Sequence, residues 1–257
     1  MLQPSTQQRL LALNRTFYTA VADEFDGTRR GLPAGWQALK AYLPLTTGER
    51  PIFVLDAGCG NGRFARALEA FGATYRYVGV DGNADLLTLA AGHTAELGER
   101  EIAFIQADLA QPGWSAGLGR VPAQDKDAAG KFDLVVCFAT LHHLPGYALR
   151  LQVVKELTSL LRLNGVLMLS TWQFLTSERF AQKQIAWSAV NLTAADVEPG
   201  DALLPWQQGE FAIRYVHQID EGEVRRLAQD AGLTVVHSFY ADGKEGNLNF
   251  YAVLTGS

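Results

Sequence analysis

Apolar residues along the chain recur at two different periods, and the alternation between them sets the organisation of the sequence. From residue 7 to 25, Leu10, Leu13, Phe17 and Val21 fall on one face at helical spacing, and Asp26-Gly27 ends the run as a turn. A second short helix is predicted over residues 36–43, and the polar, Gly- and Pro-marked stretch 44–51 reads as a boundary before the main fold. Ile52-Phe53-Val54-Leu55 is an apolar run between Pro51 and a glycine cluster, the pattern of a buried strand. Residues 63–71 return to the helical period through Phe64, Leu68 and Phe71. Residues 75–80 then read as strand, 84–97 as helix, and 102–107 and 132–138 as strands. Leu149, Val153, Leu157 and Leu160 mark another helix, and residues 165–171 a fifth strand. Strands that recur with helices between them predict an α/β fold, a parallel sheet covered on both faces. The stretch 111–131, rich in Gly, Pro, Ala and charge, reads as a long surface loop.

The last part changes character. Val224, Leu227, Ala228 and Ala231 give one helical face, closed by Gly232 as a C-terminal cap. Residues 233–240 and 249–255 read as two strands joined by Asp242-Gly243-Lys244-Glu245-Gly246, a hairpin signal. A parallel sheet that finishes in an antiparallel hairpin is unusual for a nicotinamide-binding domain. Residues 172–218 have mixed aromatic content and weak periodicity, and read as an inserted, substrate-facing segment.

Composition narrows the class. Hydrophobic residues make up 48% and charged ones 19%, proportions of a globular protein. No apolar run reaches the roughly eighteen residues a membrane helix needs, and the N-terminus lacks the pattern of a signal peptide. With only Cys59 and Cys137, both in segments read as loop or strand, no disulfide framework is indicated and a cytoplasmic location is expected. These cysteines are better read as small apolar residues than as nucleophiles or ligands. The net charge of −5 leans against a nucleic-acid substrate, although Arg29-Arg30 and Arg225-Arg226 offer local basic pairs.

The candidate chemistry gathers at strand ends. A glycine-rich loop after the first strand lets a ligand approach the backbone at a helix N-terminus, a weak signal by itself. Three details sharpen it. The spacing is Gly58-x-Gly60-x-Gly62, with Arg63 where a dinucleotide fingerprint wants glycine or alanine. Asp56 stands just before the glycines, where a carboxylate would repel a pyrophosphate and suit the ammonium of an amino-acid moiety. Asp81 follows Gly62 by 19 residues, the place of an acid that takes ribose hydroxyls, and Asp108 with Leu109 beside it is placed for an adenine. Each aspartate alone could be a helix cap; three at successive strand ends are specific.

With these residues in place the chain resembles class I S-adenosylmethionine-dependent methyltransferases over about residues 51–254. The resemblance rests on Val54-Leu55-Asp56-Ala57-Gly58-Cys59-Gly60-Asn61-Gly62, Gly79-Val80-Asp81, Gln106-Ala107-Asp108, Phe132-Asp133-Leu134-Val135, Leu141-His142-His143-Leu144 and Leu163-Asn164-Gly165-Val166-Leu167. It implies a Rossmann-like sheet whose familiar ending is the antiparallel hairpin. It also implies S-adenosyl-L-methionine as cofactor and S-adenosyl-L-homocysteine as product. Residues 1–50 would then form an N-terminal helical cap and 51–257 the methyltransferase domain, with the insertion at 172–218. The implied cofactor contacts are Tyr18, Asp56, Gly58, Cys59, Gly60, Asp81, Gly82, Asp108, Leu109, Phe138 and Ala139.

A narrower set of motifs resembles the tRNA wobble-uridine carboxymethyl methyltransferases: Phe17-Tyr18 through Thr28-Arg29, Leu204-Pro205-Trp206, Arg214-Tyr215-Val216-His217, and Gly246-Asn247-Leu248-Asn249-Phe250-Tyr251. That family esterifies a carboxymethyl group on a tRNA uridine, and the resemblance implies a tRNA acceptor and a small partner protein. The chain departs from it in its acidic balance and in lacking a long basic insertion before the Arg-Tyr segment.

Methyl transfer from a sulfonium is an in-line displacement, so positioning can supply about 7–11 kcal/mol of the barrier. A carboxylate acceptor needs no base but needs a cationic clamp, for which Arg29 and Arg214 are candidates; either could equally form a salt bridge. His142-His143 could act as base and orienting group, or pack and cap the next helix. Trp172, Trp187 and Trp206 could stack on a flat acceptor or hold the insertion to the core. No third ligand sits at metal-site spacing, so no metal is expected. A small-molecule O- or N-methyltransferase and a non-catalytic cofactor-binding module remain alternatives.

Overall fold

The computed structural model describes residues 2–29, 31–45, 50–97, 101–120 and 131–256. Its centre is a seven-stranded sheet in the order β3-β2-β1-β4-β5-β9-β8. Strands β1 (Ile52–Ala57), β2 (Tyr75–Asp81), β3 (Ile102–Gln106), β4 (Phe132–Phe138) and β5 (Leu161–Trp172) pair in parallel. Strand β9 (Asn249–Gly256) pairs antiparallel with both β5 and β8 (Leu233–Ala241), which forms one edge. Successive side chains of a strand face opposite sides, and both sides are buried here. Leu55, Ala57, Val135 and Cys137 enter one core, whereas Ile52, Val54, Leu134 and Val136 enter the other. That is why these strands read as continuous apolar runs.

Helices α3 (Arg63–Ala70), α4 (Ala84–Thr94), α5 (Tyr147–Ser159) and α7 (Glu221–Asp230) flank the sheet. Helix α2 (Ala34–Leu39) brings Trp36 and Leu39 into the second core. Helix α4 starts on Asn83, whose side chain accepts from the Leu86 N–H, and α7 starts on Asp220, which accepts from Glu223 N–H. The helix expected over 84–97 stays α-helical to Thr94 and tightens into a 3₁₀ turn at Ala95–Leu97.

Two expectations need correction. The stretch 111–131 is not simply a surface loop: Trp114–Arg120 is a 3₁₀ segment that buries Trp114 and Leu118 in the first core, and residues 121–130 lie outside the described residues. The segment 172–218 is better ordered than its weak periodicity suggested. After the four-residue α6 (Glu178–Ala181), it forms an antiparallel pair, β6 (Asp201–Trp206) with β7 (Ala212–His217).

Helix α1 (Pro4–Gly27) lies on this pair and turns Leu10, Asn14, Phe17 and Val21 inward, with a non-helical break at Val21. Asn14 ties it down: its amide donates to the carbonyls of His143 and Tyr215, each at 3.1 Å, and its carbonyl accepts from Tyr215 N–H at 2.8 Å. On the other flank, buried Arg150 pairs with Glu223 and Glu198, while His217 bridges Asp201 and Glu223. Glu198, Asp201 and His217 have a spacing that a metal ion could use. Here the two cations Arg150 and His217 already satisfy those carboxylates, and the two acids hold His217 above its usual range.

Candidate functional site

The glycine loop does what its sequence requires. Gly58, Gly60 and Gly62 all have positive φ (80°, 52° and 72°), a region that residues with a Cβ rarely enter. Gly58 N–H and Cys59 N–H both donate to Val80 carbonyl, at 2.7 and 3.0 Å, which fixes the loop across the end of β2. A Cβ at Gly58 would meet Thr140 Oγ1 at 2.2 Å, whereas one at Gly60 would point into open space. The loop is thus packed tightly below and open above, the form of a cradle.

Three acids surround it. Asp81 at the end of β2 accepts from Gly60 N–H and Asn83 N–H, each at 2.9 Å. Burial raises its carboxyl above the ordinary range, with those backbone donors pulling the other way. Asp56 at the end of β1 is 3% exposed and accepts from the Tyr77 hydroxyl at 2.6 Å. Burial pushes its carboxyl up to about 7, opposed by Tyr77 and reinforced by the charge of Asp81. Asp108 beyond β3 accepts from Ala110 N–H and pairs with Arg15 of α1 at 2.9 Å. Neither Asp56 nor Asp81 has a cation at ion-pair distance among the described residues, the nearest influence being the more distant charge of Arg63 on Asp56.

The opposite wall is cationic and aromatic. Arg214 on β7 is 8% exposed, and its guanidinium lies 4.8 Å from the Trp172 ring, 5.4 Å from Phe17 and 5.9 Å from Trp206. Its Nε is buried with no hydrogen-bond partner, and no carboxylate pairs with it among the described residues. Burial holds its pKa below the usual arginine value, and the hydroxyl of Tyr18 beside it acts in the opposite direction. Arg29, also lowered by burial, sits 4.3 Å over Phe25.

The histidines are defined by their partners. His143 Nδ1 lies 3.2 Å from Tyr215 carbonyl, and Nε2 lies 2.7 Å from the Tyr18 hydroxyl. A carbonyl only accepts, so Nδ1 carries the hydrogen and Nε2 accepts from Tyr18. Burial, with Arg214 and Arg29 nearby, lowers His143 to about 3, so the ring is neutral. His142 is 2% exposed, is also driven down chiefly by burial, and has no partner at Nδ1.

One cavity of about 940 Å³ joins the two walls. It is lined by every residue singled out from the sequence: Tyr18, Asp56, Gly58, Cys59, Gly60, Asp81, Gly82, Asp108, Leu109, Phe138 and Ala139, and also Arg29, His142, His143 and Arg214. The three tryptophans separate. Trp172 and Trp206 line the cavity, while Trp187 packs with Leu10 in the small core beneath α1. Sequence reasoning missed Asn14, which positions α1, and Asp26, which holds both Asn61 of the loop (2.6 Å) and His93 of α4 (2.8 Å). It also missed Arg179 and Lys183 at the mouth. Asn14, Arg179 and Lys183 lie in no motif, and Asp26 reads from the sequence only as a turn residue.

Comparison with known proteins now becomes informative. The profile of a family described as a methyltransferase domain matches residues 28–238. A ubiquinone biosynthesis O-methyltransferase of Thiobacillus denitrificans is 30% identical over 183 residues, 70% of this chain and 63% of that protein. The chain therefore spans less than two thirds of the length of the curated relatives it matches. Among solved structures, magnesium protoporphyrin IX methyltransferase from Synechocystis PCC 6803 with bound S-adenosylhomocysteine shares the fold at a TM-score of 0.63, with 19% identity over 96% of this chain and 99% of the other. A Haloferax volcanii methyltransferase in complex with a methyltransferase activator gives 0.59, at 16% identity over 94% and 96%.

Proposed function

We propose, on the premise that this chain belongs to the class I S-adenosylmethionine-dependent methyltransferase family, that it transfers a methyl group to a carboxylate oxygen and so forms an ester. The observation that carries the proposal is Arg214, a buried guanidinium facing the cavity with no carboxylate against it among the described residues. Burying a charge without a partner is costly, and a substrate carboxylate is the group whose geometry matches a guanidinium in pairs of hydrogen bonds.

The residues present fit the cofactor. Gly60 leaves open space over its backbone, and Asp56 and Asp81, with no ion pair among the described residues, offer carboxylates to an ammonium and to ribose hydroxyls. When bound, the cofactor supplies an electrophilic methyl group on a sulfonium and a neutral thioether as leaving group. The chain's own contribution is positional. Arg214 orients the acceptor oxygen, Tyr18, itself donating to the neutral His143, stands beside Arg214, and Trp172 and Trp206 wall the acceptor. The oxygen–carbon bond forms as the carbon–sulfur bond breaks, and no proton moves. A neutral His143 lowered to about 3 suits a reaction that needs no base.

The finer reading is a carboxymethyl group on a tRNA wobble uridine. It is supported by the Arg214-Tyr215-Val216-His217 motif, which contains the orienting arginine itself, and by an aromatic wall suited to a flat base. It brings with it a cytoplasmic site, a small partner protein, and an N-terminal cap (1–50) closing on a catalytic body (51–257). A small-molecule O-methyl acceptor is the second reading, favoured by the name of the Thiobacillus relative and by the net charge of −5.

The test is a labelled methyl-transfer assay on total RNA and on a metabolite extract, followed by mild alkali. An ester releases its label as volatile methanol; an ether or N-methyl product keeps it. Label that resists alkali would overturn the carboxylate, label confined to small molecules would remove tRNA, and no transfer to either pool would favour a non-catalytic module.

A further inference from the structure

The charges lining the cavity are sorted by side. All of its acids, Asp56, Asp81, Asp85 and Asp108, belong to the ends of β1 to β3 and the start of α4. The half built from α1, the insertion and β7 contributes Arg15 (paired with Asp108), Arg29, Arg179, Lys183 and Arg214 and no acid among the described residues, and the acidic side adds one cation, Arg63 at the start of α3. In a chain with a net charge of −5, a wholly cationic half-cavity is not what composition alone would produce.

Two of these cations stand apart from the buried clamp. Arg179 is carried by α6, and Lys183 follows it at the mouth; both are exposed, and neither has an ion pair among the described residues. A chain of ring contacts connects Arg179 to the interior. The Arg214 guanidinium lies 4.8 Å from the Trp172 ring, Trp172 meets Phe180 edge-on at 4.8 Å, and the Arg179 guanidinium lies 5.3 Å from Phe180. Such rings keep long cationic side chains near their faces and give a flat acceptor a surface to lie along.

We infer that Arg179 and Lys183 form a second anion subsite, which takes a phosphate or carboxylate carried by the same acceptor whose first carboxylate sits on Arg214. The acceptor is then a flat molecule or residue with two anionic groups set along the Trp172–Phe180 wall, one deep and methylated, one at the mouth and unchanged. This rests on the carboxylate reading above and adds to it the second charge.

The test uses the whole protein with S-adenosylhomocysteine and two probes, 4-hydroxyphenylacetate and its phosphate ester, in calorimetric titrations. The phosphate ester is expected to bind about five- to tenfold more tightly than its parent, the scale of two exposed charge pairs. In Arg179→Gln/Lys183→Gln that ratio falls to about one, while Arg214→Gln weakens both probes. A ratio near one in the native protein, or a ratio that survives the double substitution, overturns the subsite. If the parent probe does not bind, or binds independently of Arg214, the carboxylate reading fails instead, and the subsite falls with it. Melting temperatures within about 1–2 °C of native are the control that the exposed substitutions leave the fold intact.

Discussion

Replacing Arg214 by methionine separates what this charge costs the fold from what it contributes to the reaction. In the free protein the guanidinium is 8% exposed among Phe17, Trp172 and Trp206, without a carboxylate partner among the described residues. Exchanging buried ionic groups for apolar ones of similar volume is neutral or stabilising by about 1–4 kcal/mol. Loss of the ring contacts gives back about 0.5–2 kcal/mol. The balance is a stabilisation of about 1–2 kcal/mol, which at this chain length raises Tm by about 2–6 °C. In catalysis the sign reverses. A buried carboxylate left without its guanidinium costs about 3–5 kcal/mol, so kcat/KM falls by about 10²–10⁴-fold. Thermal denaturation without acceptor and labelled methyl transfer on the same preparation read both effects. A variant that melts lower than native and keeps more than about a tenth of kcat/KM would refute the assignment, because Arg214 would then be a packing residue.

Four further outcomes are expected. Asp56 is held near 7 in the free protein, and a cationic group beside it lowers that value; cofactor binding therefore releases a proton below about pH 7, and affinity weakens as pH falls. Calorimetry at pH 6 in buffers of different ionisation enthalpy measures the release, which Asp56→Asn should abolish. Asp81→Asn turns one of the two oxygens that accept from Gly60 and Asn83 N–H into a donor and removes the charge, and should weaken S-adenosylhomocysteine by about 3 kcal/mol or more; an unchanged Kd would mean the ribose assignment is wrong. Gly58→Ala forces a Cβ onto Thr140 at a φ of 80° and should cost about 2–4 kcal/mol in chemical denaturation, whereas Gly60→Ala should cost about 1–2 kcal/mol and act mainly on ligand affinity. Because His143 titrates near 3, the rate between pH 5 and 8 should show no histidine limb, and a limb removed by His143→Phe would make it the base.

The central sheet was legible because β1 to β5 are buried on both faces, which leaves unbroken apolar runs between glycine and helix signals. The β6–β7 pair was not. Helix α1 covers it, so its strands lose the polar alternation that marks a half-exposed hairpin, and Pro205 within β6 argues against a strand. The acidic half of the site was readable for a local reason: each aspartate stands at the end of its own strand. The cationic half depends on contacts that span the chain. Asn14 reaches Tyr215 across 201 positions, and Tyr18 reaches His143 across 125. Arg214 could be nominated from its motif, but nothing local tells that it lacks an acid.

The sorting of charge in the cavity also bears on how the site empties. On the carboxylate reading proposed above, a positively charged donor faces the aspartates before transfer and a negatively charged acceptor faces the arginines. Transfer removes one charge from each: a thioether replaces the sulfonium, and an ester replaces the carboxylate. Asp56 keeps the ammonium that the thioether product still carries, whereas Arg214 is left facing a neutral ester, an uncompensated buried charge that water or a fresh acceptor relieves. On this reading the cationic wall that gathers the acceptor holds its ester less tightly, so turnover carries its own release step for the methylated product.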